Sequence, residues 1–452
     1  MHASSETIHV RYADGYLDVT GPVSQRLQIT AQAMLLELMD HVSSRSVDLL
    51  CIASGVYTLD RISKRKETLA NEAGIRTFSI CFHVADWDYW RQPVVIERIV
   101  DVLHELTGDN WIIEFAHHQR PRRSAHQSRI AFQNAPTPSR LALYSGGLDS
   151  AAGLANQLLA GQRDLMLLTV GHQASIRRRC NRQVRSIMRA LPGSGPLYHA
   201  YFRVNLQIPG RMRKQESSQR ARGFLFCSSA AVFCLAFDIN EIDIYENGQG
   251  AINLPLSSGA LSGRFSTRGA HPGFLRKMSH LVSDALEADI RFNLPFLWRT
   301  KAEMVARLAR DPALETIAQL SHSCVHTSWR EAGVSHCGKC PACLERHQAF
   351  SFSGANDLTR YSYERLWRSQ DPLKDDYMRS YLDNAKAWQA GDARTLRRLK
   401  DHCALSGIDE LQIGRIADLC RQHAKEVLAV YGELPQSSPI VPGSSTALKV
   451  AA

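Results

Sequence analysis

An apolar stretch, Leu141-Ala-Leu-Tyr144, runs straight into Ser145-Gly-Gly-Leu-Asp-Ser150, and a helix-forming segment, Ala151 to Leu159, leaves it. A strand that passes through glycines into a helix turns several backbone N–H groups toward one point at the helix N-terminus, where a phosphate settles. The Walker A loop has the same order of elements but carries a Lys-Ser/Thr pair that is missing here. Without that lysine the charge of a triphosphate must be balanced by Mg²⁺, which takes hard oxygen ligands such as the Asp149 carboxylate. A glycine–serine turn ahead of a helix also occurs where nothing binds, so the reading needs a second element.

That element is Cys324, followed after twelve residues by Cys337-Gly-Lys-Cys340-Pro-Ala-Cys343. Three cysteines at CxxCxxC spacing and a fourth one loop away can bring four thiolates to the corners of a tetrahedron, the geometry of closed structural Zn²⁺ sites. Four thiolates leave no open position for water, so such a metal staples a loop and does no chemistry. His322, His326, His336 and His347 lie close enough in sequence to replace one sulfur, and an iron–sulfur cluster or a metal-free reduced set stays open.

The SGGLDS hexapeptide resembles the signature of the PP-loop ATP pyrophosphatases, and together with the downstream cysteines the chain resembles the QueC family, the 7-cyano-7-deazaguanine synthases. The resemblance covers roughly residues 139 to 355. Within it, Thr300-Lys-Ala-Glu-Met304 is similar to the family's TKAEI segment, and Ser323-Cys-Val through Arg346 to its closing zinc segment. Two stretches depart from the family: Arg220-Ala-Arg-Gly-Phe224, where a Gly-Arg-Asn-Ser/Thr-like run is usual, and the substrate-side loop, here Glu246-Asn-Gly-Gln-Gly250 followed by Ile252-Asn-Leu-Pro255. The resemblance implies that Ser145, Gly146, Gly147, Leu148, Asp149 and Ser150 hold ATP, with Asp149 and Ser150 catalytic. Lys301 becomes a candidate phosphate contact, and Arg222, Glu246 and Asn247 candidate substrate contacts. The implied cofactors are structural Zn²⁺ at Cys324, Cys337, Cys340 and Cys343, and Mg²⁺ with ATP.

The implied chemistry starts from a carboxylate, that of 7-carboxy-7-deazaguanine, which does not react with amines at neutral pH because oxide is a poor leaving group. Attack on the α-phosphorus of ATP makes an acyl-adenylate and releases pyrophosphate, and an amine then displaces AMP. The substrate carboxylate is itself the nucleophile, which accounts for the lack of a Ser-His-Asp pattern. The enlarged chain resembles the QueC-like proteins of bacterial anti-phage operons, the QatC type, which implies a partner protein as amine donor; ammonia and a nitrile product form the alternative. Other readings are a nucleotide-binding subunit without catalysis, amidation of another carboxylate, and tRNA thiolation through Cys180 or Cys227.

At 452 residues two or three domains are expected. The reading is an α/β chain with an adenine nucleotide alpha hydrolase-like, Rossmann-like parallel-sheet core, an α+β N-terminal domain and a helical C-terminal extension. Residues 1–118 form the accessory domain, 119–140 a basic, proline-bearing linker, 141–355 the PP-loop domain, 356–434 the helical extension and 435–452 a disordered tail. Strands are expected at 8–12, 16–19, 76–84, 111–115, 141–145, 165–170, 198–204, 241–246 and 290–294. Helices are expected at 33–42, 47–62, 94–106, 377–388, 393–403 and 413–431. Val170-Gly-His-Gln173 and Glu246-Asn-Gly248 follow strands and are candidates to line the same crevice.

No run of eighteen apolar residues argues for a membrane span. Eleven cysteines, four of them clustered, fit a reducing cytosol better than a disulfide framework. The net charge of +10 raises an acidic partner or nucleic acid. Arg178, Arg182, Arg185 and Arg189 fall on one face of a helix whose other face carries Ile176, Cys180, Val184, Ile187 and Leu191, and Arg211-Met-Arg-Lys214 adds charge nearby. A solvated helix face is the favoured explanation of the arginines, ahead of nucleic acid.

Overall fold

The computed structural model describes residues 7–13, 16–21, 25–29, 43–65, 75–118, 138–171, 174–193, 195, 197–205, 216, 218–254, 268–325, 335–362 and 376–432. The expected helix 33–42, the Arg211–Lys214 cluster, His172, Gln173, Pro255, His326, most of the linker and the 435–452 tail lie outside the described residues.

Strands β1 (Ile8–Ala13), β2 (Tyr16–Thr20) and β3 (Gln25–Ile29) form an antiparallel run, with Tyr12 opposite Leu17 across the first pair. Helix α1 (Ser44–Ile62) follows, then β4 (Thr77–Val84), the single turn α2 (Trp87–Trp90), α3 (Pro93–Thr107) and β5 (Asn110–His117). From β6 (Arg140–Leu143) strands and helices alternate: α4 (Leu148–Leu159), β7 (Leu165–Gly171), α5 (Ala174–Ala190), β8 (Leu197–Asn205), α6 (Arg222–Ala236) and β9 (Glu241–Ile244). The short α7 (Gly248–Ile252), then α8 (Pro272–Leu286), β10 (Arg291–Asn293), α9 (Lys301–Ala306) and α10 (Pro312–Gln319) complete this half. Helices α11 (Pro341–Ser353), α12 (Asp376–Gln389), α13 (Ala393–Leu405) and α14 (Glu410–Tyr431) close the chain.

All ten described strands join one sheet, in the order β10-β9-β6-β7-β8-β3-β2-β1-β4-β5. Strands β10, β9, β6, β7 and β8 are mutually parallel, the pattern that strand–helix alternation predicts. β3 joins them antiparallel to β8 through Gln28 opposite Asn205 and Ile29 opposite Val204. The N-terminal strands thus prolong the central sheet.

Period-two alternation along the strands divides their side chains between two cores. Leu141, Met166 and Leu168 face one core, shared with α1, α3, α6 and α8; Ala142, Leu165 and Leu167 face the other, built on α4, α5, α9 and α10. A sheet covered on both faces explains the near-continuous apolar run of β7. Helix α1 is buried on nearly every side, and a Cβ on its Gly55 would meet Phe82 and Val10 side chains at 2.9 Å, so the helix lies directly on β1 and β4. Its Asp60 caps the Ala221 N–H at the start of α6 and pairs with Arg76, which also grips Asp109 at 2.6 Å. A third core joins the four clustered cysteines to α12, α13 and α14.

Candidate active site

Tyr144 and Ser145 leave strand geometry where the sequence suggests that β6 continues. Their departure makes the cradle. Gly146 takes φ +73°, and a Cβ there would lie 2.9 Å from Cys180 Sγ, so backbone and packing both require glycine. Gly147 N-caps α4 and offers no side chain to the first-turn N–H groups. Ser145 Oγ accepts the Gly147 N–H at 3.2 Å and lies 2.9 Å from Ser150 Oγ, which in turn accepts the Ser145 N–H at 3.3 Å. The two serines hold the loop in shape from inside. From across the crevice the His322 N–H donates to Gly146 O at 3.0 Å.

Beside the cradle stands a charged cluster. Asp149 Oδ2 lies 3.1 Å from Lys301 Nζ, and that ammonium also donates to Glu345 Oε2 at 2.8 Å. Asn247 Nδ2 donates to Asp149 Oδ1 at 2.8 Å and to Glu246 Oε1 at 3.0 Å, while its own Oδ1 caps α7 by accepting the Gly250 N–H at 3.0 Å. Lys301 is held at the first position of α9 by a capping box: Thr300 Oγ1 accepts the Glu303 N–H, and Glu303 accepts the Thr300 N–H. Thr300 Oγ1 donates in turn to Glu426 of α14 at 2.7 Å. Burial works against the Lys301 charge, yet Asp149, Glu345 and Glu246 raise its pKa above the ordinary lysine value.

The structure therefore brings Asp149, Lys301, Glu246 and Asn247 together beside Ser145–Ser150. Arg222 keeps other company: it opens α6, its guanidinium 5.5 Å over the Phe226 ring. Glu345 was not visible as a site residue in the sequence. Its one signal is an acidic residue two places after Cys343 in the cysteine-bearing segment. Lys301 is engaged by two carboxylates, those of Asp149 and Glu345.

Burial and then the neighbouring Asp149 charge push the Glu246 carboxyl up to about 8. Three carboxyl groups around one ammonium, that of Glu246 keeping its proton at neutral pH, supply hard-oxygen donors of the kind Mg²⁺ takes. Because the folded value lies above the ordinary 4.5, the protonated form stabilises the fold below about 4.5, and that contribution is lost as the pH climbs through about 8. The thermal midpoint of the Mg²⁺-free chain is expected to fall between pH 5 and pH 8.5 more steeply for wild type than for Glu246→Gln. Superimposable profiles would remove Glu246 from this account.

The four cysteines Cys324, Cys337, Cys340 and Cys343 are all buried, with their sulfurs within 4.8 Å of one another. Cys340 and Cys343 sulfurs lie 3.4 Å apart and those of Cys337 and Cys343 3.9 Å, close to the roughly 3.8 Å edge of a tetrahedron with Zn–S of about 2.3 Å. Sulfurs this close are spaced to hold a single ion, with too little room between them for a cluster of several irons. The backbone N–H groups of Cys337 and Cys340 each point at a sulfur, Cys324 Sγ and Cys337 Sγ, at 3.4 Å, which favours thiolates. Among the described residues no imidazole joins this group. His336 accepts the Ser323 N–H and meets Ser335 Oγ, and His347 pairs with the Tyr431 hydroxyl. The donors fit structural zinc.

Cys180 and Cys227 are both buried, and burial pushes both thiols up, away from the reactive thiolate that a persulfide carrier needs. The arginine face of α5 is as expected: Arg178, Arg182, Arg185 and Arg189 are exposed, while Cys180, Val184 and Ile187 are buried.

Residues 269–354 match the family model described as "Queuosine biosynthesis protein QueC". Over this segment the chain is QueC-like. Proteins named 7-cyano-7-deazaguanine synthase from Brucella ovis, Brucella canis and Brucella abortus are each 33% identical to it over 100 residues, 22% of this chain. The chain spans 40% of the length of these curated relatives. The QueC-like segment contains Lys301, Glu345 and all four cysteines; the cradle at 145–150 and Glu246 lie outside it. Among the described residues no helix is long and apolar enough to cross a membrane.

Proposed function

We propose that this chain is an ATP-dependent, AMP- and pyrophosphate-forming carbon–nitrogen ligase that activates the carboxylate of a 7-deazaguanine, 7-carboxy-7-deazaguanine, and passes it to an amine of a partner protein. The observation that carries the proposal is the uncapped α4 N-terminus behind Gly146, with Asp149 anchored beside it. The QueC-like segment contributes Lys301 and Glu345 to the same cluster. In this reading the N–H groups of the cradle bind the departing pyrophosphate. Ser145 and Ser150 keep those N–H groups in place. Asp149, with Glu246 and Glu345 near it, would hold Mg²⁺, which neutralises phosphate charge when bound.

A substrate carboxylate oxygen bonds to the α-phosphorus as the bond to the pyrophosphate oxygen breaks. The amine nitrogen then bonds to the acyl carbon, AMP leaves, and the nitrogen loses a proton. No protein nucleophile is required; positioning alone contributes about 7–11 kcal/mol to such a step. A protein acceptor suits a chain that surrounds its QueC-like segment with further strands and helices. Anti-phage defence is the setting that the enlarged, QatC-like architecture implies.

Incubation of the chain with ATP, Mg²⁺ and 7-carboxy-7-deazaguanine tests this. Pyrophosphate release dependent on the deazaguanine is expected. Intact-mass spectrometry of proteins co-expressed with the chain would show an added deazaguanine, and a free nitrile formed from ammonia would assign the acceptor instead to ammonia. Binding of ATP by the folded chain without any release of pyrophosphate would overturn the catalytic proposal.

A further inference from the structure

The polar face of the N-terminal sheet carries a second group of metal-type donors, remote in sequence from the four clustered cysteines. His9 of β1 lies opposite Cys81 of β4, and Arg11 lies opposite His83, so all four side chains share one face of two adjacent parallel strands. The opposite face of the same strands, with Val10, Tyr12, Ile80, Phe82 and Val84, is core. Here the burial pattern breaks its own rule: Cys81 belongs to the polar face and is nevertheless only 7% exposed, covered by its neighbours. One sulfur and two imidazole nitrogens from His9, Cys81 and His83 lie within 4.8 Å of one another.

The spacing is informative. His9 Nδ1 and His83 Nε2 are 3.3 Å apart. A tetrahedral ion with metal–nitrogen bonds of about 2.0–2.1 Å has N···N edges of about 3.3–3.4 Å. Two neutral imidazoles facing each other nitrogen to nitrogen can share only one proton, whereas a cation between them uses both lone pairs. His9 is exposed, so a fourth position would open to solvent. Nitrogen-rich ligation with a single sulfur suits borderline divalent ions such as Zn²⁺ and Co²⁺ better than Mg²⁺ or Ca²⁺.

We infer that His9, Cys81 and His83 form a second, solvent-open site for a borderline transition-metal ion such as Zn²⁺. It differs in kind from the four-cysteine staple, because three protein ligands leave one position for water or for a donor from another molecule. The site stands on the accessory strands and makes no demand on the reading of the cradle.

Metal counting on the full-length chain decides the matter. After loading with Zn²⁺ and removal of excess, elemental analysis is expected to give two ions per chain for wild type and one for Cys81→Ser. His9→Ala changes an exposed side chain and should leave the fold intact by circular dichroism; it too should give one ion. Loading with Co²⁺ should add a visible absorption component that Cys81→Ser loses and that the four-cysteine set does not supply. One ion in wild type, or two retained in both folded variants, would overturn the inference.

Discussion

Asp149→Asn should lower deazaguanine-dependent pyrophosphate release by about 10²-fold or more, equivalent to about 2.7 kcal/mol or more of lost transition-state stabilisation. The substitution keeps shape and removes charge. Asn247 can still bond to the new amide oxygen, and Lys301 keeps Glu345 at 2.8 Å, so the thermal midpoint should stay within a few degrees of wild type. The same change withdraws one of the charges that hold the Glu246 proton, so the carboxyl of Glu246 should ionise at lower pH. Wild-type turnover in a folded Asp149→Asn protein would remove this cluster from the chemistry.

Cys340→Ser should act on stability. A closed site contributes its binding energy to folding, and a serine hydroxyl replaces a thiolate poorly. Cys340 N-caps α11, and its sulfur lies in the core that also contains Trp388, Cys403 and Tyr431. Loss of the ion therefore loosens four helices together. A loss of about 3–5 kcal/mol would lower the thermal midpoint by about 3–5 °C for a chain of this length, and prolonged chelation of wild type should approach the same value. Unchanged melting of the variant would mean that the sulfurs are merely packed.

The strongest local patterns were legible in the sequence. Apolar β7 between two helices, the glycine junction at 145–147 and the CxxCxxC spacing each report a short-range constraint, and the structure places them as those constraints require. Helix α1, expected from residue 47, starts at Ser44, and β6 starts at Arg140, where an ion pair to Asp243 draws the residue into the sheet. Strand β3 went unseen. Gln25-Arg-Leu-Gln-Ile29 is short and largely polar, and its place depends on a non-local partner, β8. Glu345 was hidden for a related reason. An acid on a helix is ordinarily solvated, and only the arrival of Lys301 from α9 gives this one a partner. The sheet register, likewise, joins the first strands to the last parallel one through contacts that no window of sequence contains.

One stretch of backbone belongs to both ends of the molecule's chemistry. The His322 N–H grips Gly146 O, and Cys324, two residues on, is a corner of the thiolate set. The glycine cradle is thus tethered to the four-sulfur set. On the proposed reading, removing zinc would slacken the cradle's hold on ATP with every reacting group still in place, so trace-element supply would act as a throttle on the reaction.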